Sequence, residues 1–333
     1  MILHLIPESV DGCAYHRVEV PSHNLKGFKL AQTQVLDGVS DEDLKKMSLV
    51  VFNRDSTIAE PEKQIKRLRK MGIPYVMDID DYWELDKHHL GYKEFKNNIG
   101  QRITTLLKGA HTVTTTHARL ARKVERINKN IVVVPNAIDS KQTQWKPNEY
   151  ITDNPVFGWV GGVHHIKDVE LLRPAFHVIH QEKKVNLALG GFTPNDVYML
   201  FDNWFSNAHT YPHYKRIAST DVYNYGNIYN SIDVALVPLL DTKFNACKSN
   251  LKLLEAGFKG LPAICSRVAP YTDDFKDEVL FVDDWYEGIM KLRNNPEMLF
   301  DYKNKLAEKV KDYEIQKVNI IREQLYTTII NGK

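Results

Sequence analysis

The sequence predicts an α/β protein of two tandem domains, each a parallel sheet covered by helices. Three observations carry this. At 333 residues the chain exceeds the size, about 250–300 residues, at which a single core stops growing. Short apolar runs alternate along it with longer segments of helical periodicity, the order that a parallel sheet with crossover helices requires. That alternation pauses at a polar segment, 139–155, which carries Pro147 and Pro155, and then restarts.

In the first half, Met1–Pro7, Leu49–Phe52, Pro74–Asp78, Thr112–Thr115 and Ile131–Val134 are expected as strands, with helices over Pro61–Met71 and Ala118–Ile127. In the second, Val156–Val160, Val185–Gly190, Val234–Pro238 and Pro262–Ser266 are expected as strands, with helices over Val169–His180 and Leu251–Phe258. The tail from Asn295 is helical, with Asn295 suited to the N-cap and Pro296 to the first helical position. The expected domains are 1–140 and 156–294, joined by a linker over 141–155, with helices of 295–333 packing toward the first domain. In open α/β sheets, ligands sit beyond the carboxyl ends of the strands, so the residues that follow each strand are the ones to read for function.

Composition excludes several classes. The 44 Lys and Arg against 42 Asp and Glu argue against a polybasic nucleic-acid binder. No run approaches 18 apolar residues, so no membrane helix is expected, and the N-terminus reads as a strand, not a signal peptide. Cys13, Cys247 and Cys265 are far apart and form no CxxC pair. Neither a disulfide framework nor a structural zinc site is implied, and a reducing cytoplasm is the expected location.

Four segments carry chemistry. In Trp159-Val160-Gly161-Gly162, followed by Lys167, a strand ends, Gly161 and Gly162 permit close backbone approach to a phosphate, and Lys167 would neutralise it. The alternative is a plain strand-to-helix turn with a solvated lysine; the GxxxxGK[ST] loop is absent. In Lys248-Ser249-Asn250-Leu251-Lys252-Leu253-Leu254-Glu255, Ser249 would cap a helix beginning near Asn250. Amides at Asn250 and Leu251, with Lys248 beside them, would attract a diphosphate. Glu255 would accept two hydrogen bonds from a ribose diol, or else be a solvated glutamate on an amphipathic helix.

The loop after the first strand, Asp11-Gly12-Cys13-Ala14-Tyr15-His16-Arg17, offers Gly12 for close approach. Arg17 is either a cleft-facing cation or a surface ion-pair partner. After the strand at Pro74–Asp78 comes Asp78-Ile79-Asp80-Asp81-Tyr82-Trp83, with His88 and His89 behind it. These carboxylates read as a metal site, as the group that orients an acceptor hydroxyl or acts as base, or as helix caps. His117, opening a helix, would face a bound ligand or act as a cap.

Taken together, Ile232-Asp233-Val234-Ala235-Leu236-Val237-Pro238, then KSNLKLLEAG, then GLPAICS, with Pro135-Asn136-Ala137-Ile138-Asp139 upstream, resemble the retaining GT-B glycosyltransferases of the GT4-like group. The resemblance spans most of 130–270. It implies two facing Rossmann-like domains, a C-terminal helix crossing back, and transfer of a hexose from a nucleotide-sugar with retention. UDP is the implied nucleotide, and no metal is expected. Glu255 matches the second glutamate of the family's E-x7-E motif, implied to hold the donor ribose; the first falls at Cys247. Lys167 matches a lysine of the family's basic pair, whose arginine is absent here, and Lys248 would supply that charge. The loop with Gly12 and Arg17 resembles one that leans toward the donor phosphates. The run Asp78-Ile79-Asp80-Asp81-Tyr82 resembles GT4-like enzymes of phages and cell-envelope clusters, which favours an acceptor-side role for the carboxylates.

Residues 1–150 hold 23 basic and 19 acidic side chains, leaving 21 and 23 in the remainder. Lys63, Lys66, Arg67 and Lys70 form one helical stripe, and Arg119, Arg122, Lys123 and Arg126 another. They read as solvated faces or as a surface for an anionic acceptor: phage DNA with a hydroxymethylated base, on which Tyr82 and Trp83 would stack, or a cell-envelope glycan or lipid. Two further classes stay open. A nucleotide-sugar 2-epimerase would turn over donor alone, and a non-catalytic sugar-nucleotide binder, suggested by Cys247, would bind without turnover. The sequence sets no oligomeric state.

Overall fold

The computed structural model describes residues 1–54, 57–87, 89–149 and 152–332, so His88 and linker positions 150 and 151 lie outside the described residues. The chain divides into two units. One comprises 1–139, 246–249 and 313–333, and the other 140–245 and 250–312.

The first unit contains β1 (Ile2–Leu5), β2 (Leu30–Thr33), β3 (Leu49–Asn53), β4 (Tyr75–Ile79), β5 (Thr112–Thr115) and β6 (Ile131–Val133). They form one parallel sheet in the order β2-β1-β3-β4-β5-β6. Side chains alternate across it. Leu3, Leu5, Val50, Phe52, Met77 and Val113 pack against Leu68, Leu106, Leu107 and Leu120 of the crossover helices. On the other face Ile2, Leu49, Val51 and Val76 meet Tyr326 and Ile329. A central parallel strand is apolar on both faces, so this second face needs a cover. The helix Ile315–Asn331 supplies it from the far end of the chain, each buried side chain contributing about 1.5–3 kcal/mol.

The second unit contains β7 (Val156–Val160), β8 (Asn186–Phe192), β9 (Tyr214–Ala218), β10 (Val234–Val237), β11 (Ala263–Ser266) and β12 (Leu280–Val282). Their order is β12-β11-β10-β7-β8-β9, again parallel. Its core joins Phe157, Trp159, Leu187, Leu189, Val234 and Ile264 to Phe176, Phe201, Phe205 and Ile289 of the flanking helices.

Of the tail, the helix Pro296–Val310 belongs to this second unit, and only 313–333 returns to the first. The helix packs on Leu251–Phe258 at close range: a Cβ on Gly257 would lie 2.5 Å from Val310 Cγ1. The polar segment after residue 139 is also pinned to the second unit. Gln144 and Trp145 are buried, and the buried Lys259 ammonium donates to the carbonyls of Gln144 (3.1 Å) and Lys146 (2.7 Å) and to Asn230 Oδ1 (2.6 Å).

Strand order reverses between β1 and β3 in one sheet and between β7 and β10 in the other. Ligands of such sheets lie at these switch points, outside the carboxyl ends.

Candidate functional site

In the first unit, the switch point is occupied by a buried polar cluster. Asp11 accepts from the Ala14 amide at 2.7 Å and starts a helical turn at Gly12. The turn widens into a π-helical segment, Tyr15–Glu19, which faces His16 and Arg17 inward. Arg17 is not a surface residue: its side chain is fully buried. It donates from Nε to Asp78 Oδ1 (2.9 Å), from Nη2 to Asp78 Oδ2 (2.7 Å) and from Nη1 to Asn136 Oδ1 (3.0 Å). Asn53 Nδ2 (2.9 Å) and Thr114 Oγ1 (2.6 Å) also donate to Asp78. Asp78 thus receives four hydrogen bonds, and both oxygens are committed to holding the strand ends together, which leaves it poorly placed to take a substrate proton.

Asp80 and Asp81 differ. Arg54 donates from Nε to Asp80 Oδ1 (2.7 Å) and from Nη2 to Asp81 Oδ2 (3.2 Å). Its backbone stands in the left-handed region, φ 55°, uncommon for a side chain of this size. Burial alone would raise the Asp80 pKa, but Arg54 and the Cys13 thiol overcome it and hold the carboxyl well below its usual range. The Asp81 side chain is 32% exposed, which makes it the most accessible of the three carboxylates. Among the described residues, no group of three or more His, Cys, Asp or Glu is gathered so as to hold a metal ion.

His117 is buried and caps its helix, accepting from the Arg119 amide at 3.4 Å. Burial pushes the His16 pKa down to about 4, so the ring is neutral. Trp83 is buried, so it cannot stack on an external base, and Lys123 lies over the Tyr82 ring at 5.2 Å. The stripe on Pro61–Lys70 is partly neutralised: Lys63 pairs with Glu60, and Arg67 with Asp41. On the second stripe, Arg122 and Arg126 are exposed.

Ser249 and Lys248 belong to the first unit. Ser249 does not cap the following helix, because its hydroxyl accepts from Asn136 Nδ2 at 2.8 Å. Cys247 is buried in the first unit's apolar core, and burial raises its thiol pKa.

In the second unit, β7 ends at Gly161 and Gly162. The backbone at Gly161 is crowded, and a Cβ there would lie 2.6 Å from Trp159 Cζ2 and 2.9 Å from Lys252 Nζ. Space beside Gly162 is open. The helix Leu251–Phe258 starts with Asn250 as N-cap and no side-chain cap, while Asn250 Nδ2 donates to Asp274 at 2.8 Å. Lys252, on its first turn, donates to the Val160 carbonyl at 2.6 Å. One turn later Glu255 is buried and accepts from the Tyr229 hydroxyl at 2.7 Å. Burial raises the Glu255 pKa above the usual carboxylate value, against the pull of Lys252 and Tyr229.

Lys167 is instead exposed and pairs with Glu170 at 2.9 Å. Beside it, His165 Nδ1 meets Asp168 Oδ2 at 2.7 Å, and Asp168 Oδ1 accepts from the Leu240 amide (2.8 Å) and Asn245 Nδ2 (3.0 Å), tying the turn after β7 to the loop after β10.

Sequence reading did not single out Arg54, Asn53, Thr114, Lys252 or Tyr229. Only Lys252 carried a local signal, three residues before Glu255 and on the same helix face.

Among the described residues, no helix is long and apolar enough to cross a membrane. No family model matches the chain, and no curated protein does. Solved structures do. A glycosyltransferase from Rickettsia africae aligns with TM-score 0.69 at 9% identity, covering 100% of this chain and 99% of that one. HepE of Anabaena in complex with UDP-glucose aligns with TM-score 0.68 at 12% identity, covering 98% and 99%. Sucrose-phosphate synthase from Thermosynechococcus elongatus aligns with TM-score 0.64 at 14% identity, covering 100% and 89%. At these identities the likeness is one of fold, and with the two six-stranded parallel sheets it establishes two Rossmann-like domains of the GT-B kind.

Proposed function

We propose that the protein is a glycosyltransferase that moves a hexose from a UDP-sugar to an acceptor hydroxyl with retention at the anomeric carbon. The observation that carries this reading is at the carboxyl end of β7, where Lys252 reaches the Val160 carbonyl beside Gly161 and Gly162, and Glu255 lies buried one turn further along the same helix. Each has a role in holding a nucleoside diphosphate. Glu255, when ionised, accepts both hydroxyls of a ribose diol. The amides at Asn250 and Leu251 and the Gly161-Gly162 turn take the diphosphate, and the Lys252 ammonium stabilises the charge that grows on it as the glycosidic bond breaks. Lys252 thereby takes much of the part expected of Lys167, and Lys248 remains a candidate second cation. HepE and the pneumococcal transferase GtfA, which share the fold, were solved with UDP-glucose and with UDP and GlcNAc, and this supports UDP as the nucleotide.

On the first unit, Asp81 and Asp80 are assigned the acceptor hydroxyl. Gly12, Arg17, Asp78 and Ser249 shape the strand ends that present these carboxylates, and His117 fixes the start of its helix beside them. The reading is tested by incubating UDP-glucose with an acceptor panel and following the anomeric proton of the product by NMR. An α-linked product from the α-linked donor supports it. Donor converted without any acceptor would point to epimerisation instead, and a β-linked product would overturn retention.

A further inference from the structure

We infer that a cavity of the first unit, separate from the carboxylate cluster, is a subsite for a neutral saccharide acceptor. This rests on the glycosyl-transfer reading and names its acceptor class. The cavity holds about 480 Å³ and is lined by Trp83, Glu84, Tyr92, Phe95, Lys96 and Gln101 among others, a volume within the range of small-ligand pockets. The strand that delivers Asp80 and Asp81 also delivers its floor: Trp83 follows Asp81 by two residues and is 5% exposed.

Its chemistry selects an amphipathic ring. Tyr92 and Phe95, both part-exposed, offer aromatic surface to the C–H face of a pyranose, and the buried Trp83 backs the cavity beneath them. Around them stand a carboxylate, an ammonium and a carboxamide, which together accept and donate as ring hydroxyls require. The two charges are held in place, since the Tyr82 hydroxyl donates to Glu84 at 2.5 Å and Lys96 lies over the Tyr92 ring at 5.7 Å. They are opposite in sign, so the rim carries no net charge. A polyanion would meet Glu84 here and Asp80 and Asp81 next to it in sequence. The exposed cations Arg122 and Arg126 are not among the lining residues, and the buried Trp83 is not free to stack on a flipped base.

The test uses the full chain and four probes: methyl α-glucoside, methyl β-galactoside, maltose and a single-stranded oligonucleotide. Binding is followed by saturation-transfer NMR, for the wild type and for Tyr92→Ala and Gln101→Ala. Gln101 is exposed, so its variant serves if Tyr92→Ala fails to fold. At least one neutral glycoside is expected to bind. Tyr92→Ala should weaken that binding about tenfold, or about 1.4 kcal/mol, and it should hold between about 50 and 200 mM salt, where phosphate contacts fade. No glycoside binding, binding indifferent to both substitutions, or salt-sensitive binding of the oligonucleotide alone would each overturn the inference. UDP-glucose titrated into the same samples separates the two readings. Donor binding without glycoside binding removes only the subsite, whereas glycoside binding without donor binding removes the transfer reaction.

Discussion

Arg54 donates to Asp80 across 2.7 Å from a backbone held at φ 55°. The ion pair and the strained backbone oppose each other, and this makes the site separable by mutation. Arg54→Ala strands the buried Asp80 carboxylate and should destabilise the fold by about 3–5 kcal/mol. Arg54→Gly loses the same pair but relieves the left-handed strain, so it should cost about 1 kcal/mol less. Urea unfolding of both variants checks this, and equal losses would show that the backbone stores no strain there.

Asp78 is expected to act on stability. With Arg17, Asn53 and Thr114 all donating to it, Asp78→Ala leaves the Arg17 guanidinium buried without its counter-charge, at a cost of about 3–5 kcal/mol. The double variant Arg17→Met with Asp78→Leu removes both charges and should cost less than the single change. Denaturant melts of the three chains test this. A double variant that loses as much stability as Asp78→Ala, or more, would mean that the two residues do not act as a pair.

Two of the buried histidines make stability fall in acid. Burial lowers the pKa of His4 to about 3 and that of His16 to about 4, from an ordinary value of about 6.5. Below that ordinary value the unfolded chain binds protons that the folded chain refuses, so stability falls with falling pH. Each histidine contributes a slope of about 1.4 kcal/mol per pH unit until its folded pKa is reached. Urea midpoints measured from pH 7 down to pH 4 should therefore drop, and His16→Asn should flatten the fall. A stability independent of pH in this window would contradict the burial of both rings.

Much of this fold was legible in the sequence, and its omissions share a cause. The central strands of each sheet are buried on both faces and read as unbroken apolar runs such as LVVF and VFGWV. The strands that went unread, β2 (LAQT), β9 (YKRIA) and β12 (LFV), all lie at sheet edges. Edge strands are half solvated, so their composition is mixed and no period stands out. The site divides in the same way. Gly161, Gly162 and Glu255 were visible because turn chemistry and helix spacing are local. Arg54 and Tyr229 were not, because their importance comes from partners about 26 residues away along the chain. Local sequence makes Ser249 a helix cap, but its hydroxyl is taken by Asn136, 113 positions distant.

The central claim is that the second unit binds a UDP-sugar through Glu255, and calorimetric titration of UDP-glucose into the full chain tests it most directly. Micromolar binding is expected at pH 8, with Glu255→Gln weaker by about 1.5–3 kcal/mol, the worth of hydrogen bonds to a charged group. The raised pKa of Glu255 fixes the sign of the pH dependence. Its protonated form accepts a diol poorly, so wild-type affinity should fall as pH is lowered, and that of Glu255→Gln should not. Wild-type binding that is absent, or that Glu255→Gln leaves unchanged at every pH, would contradict the account.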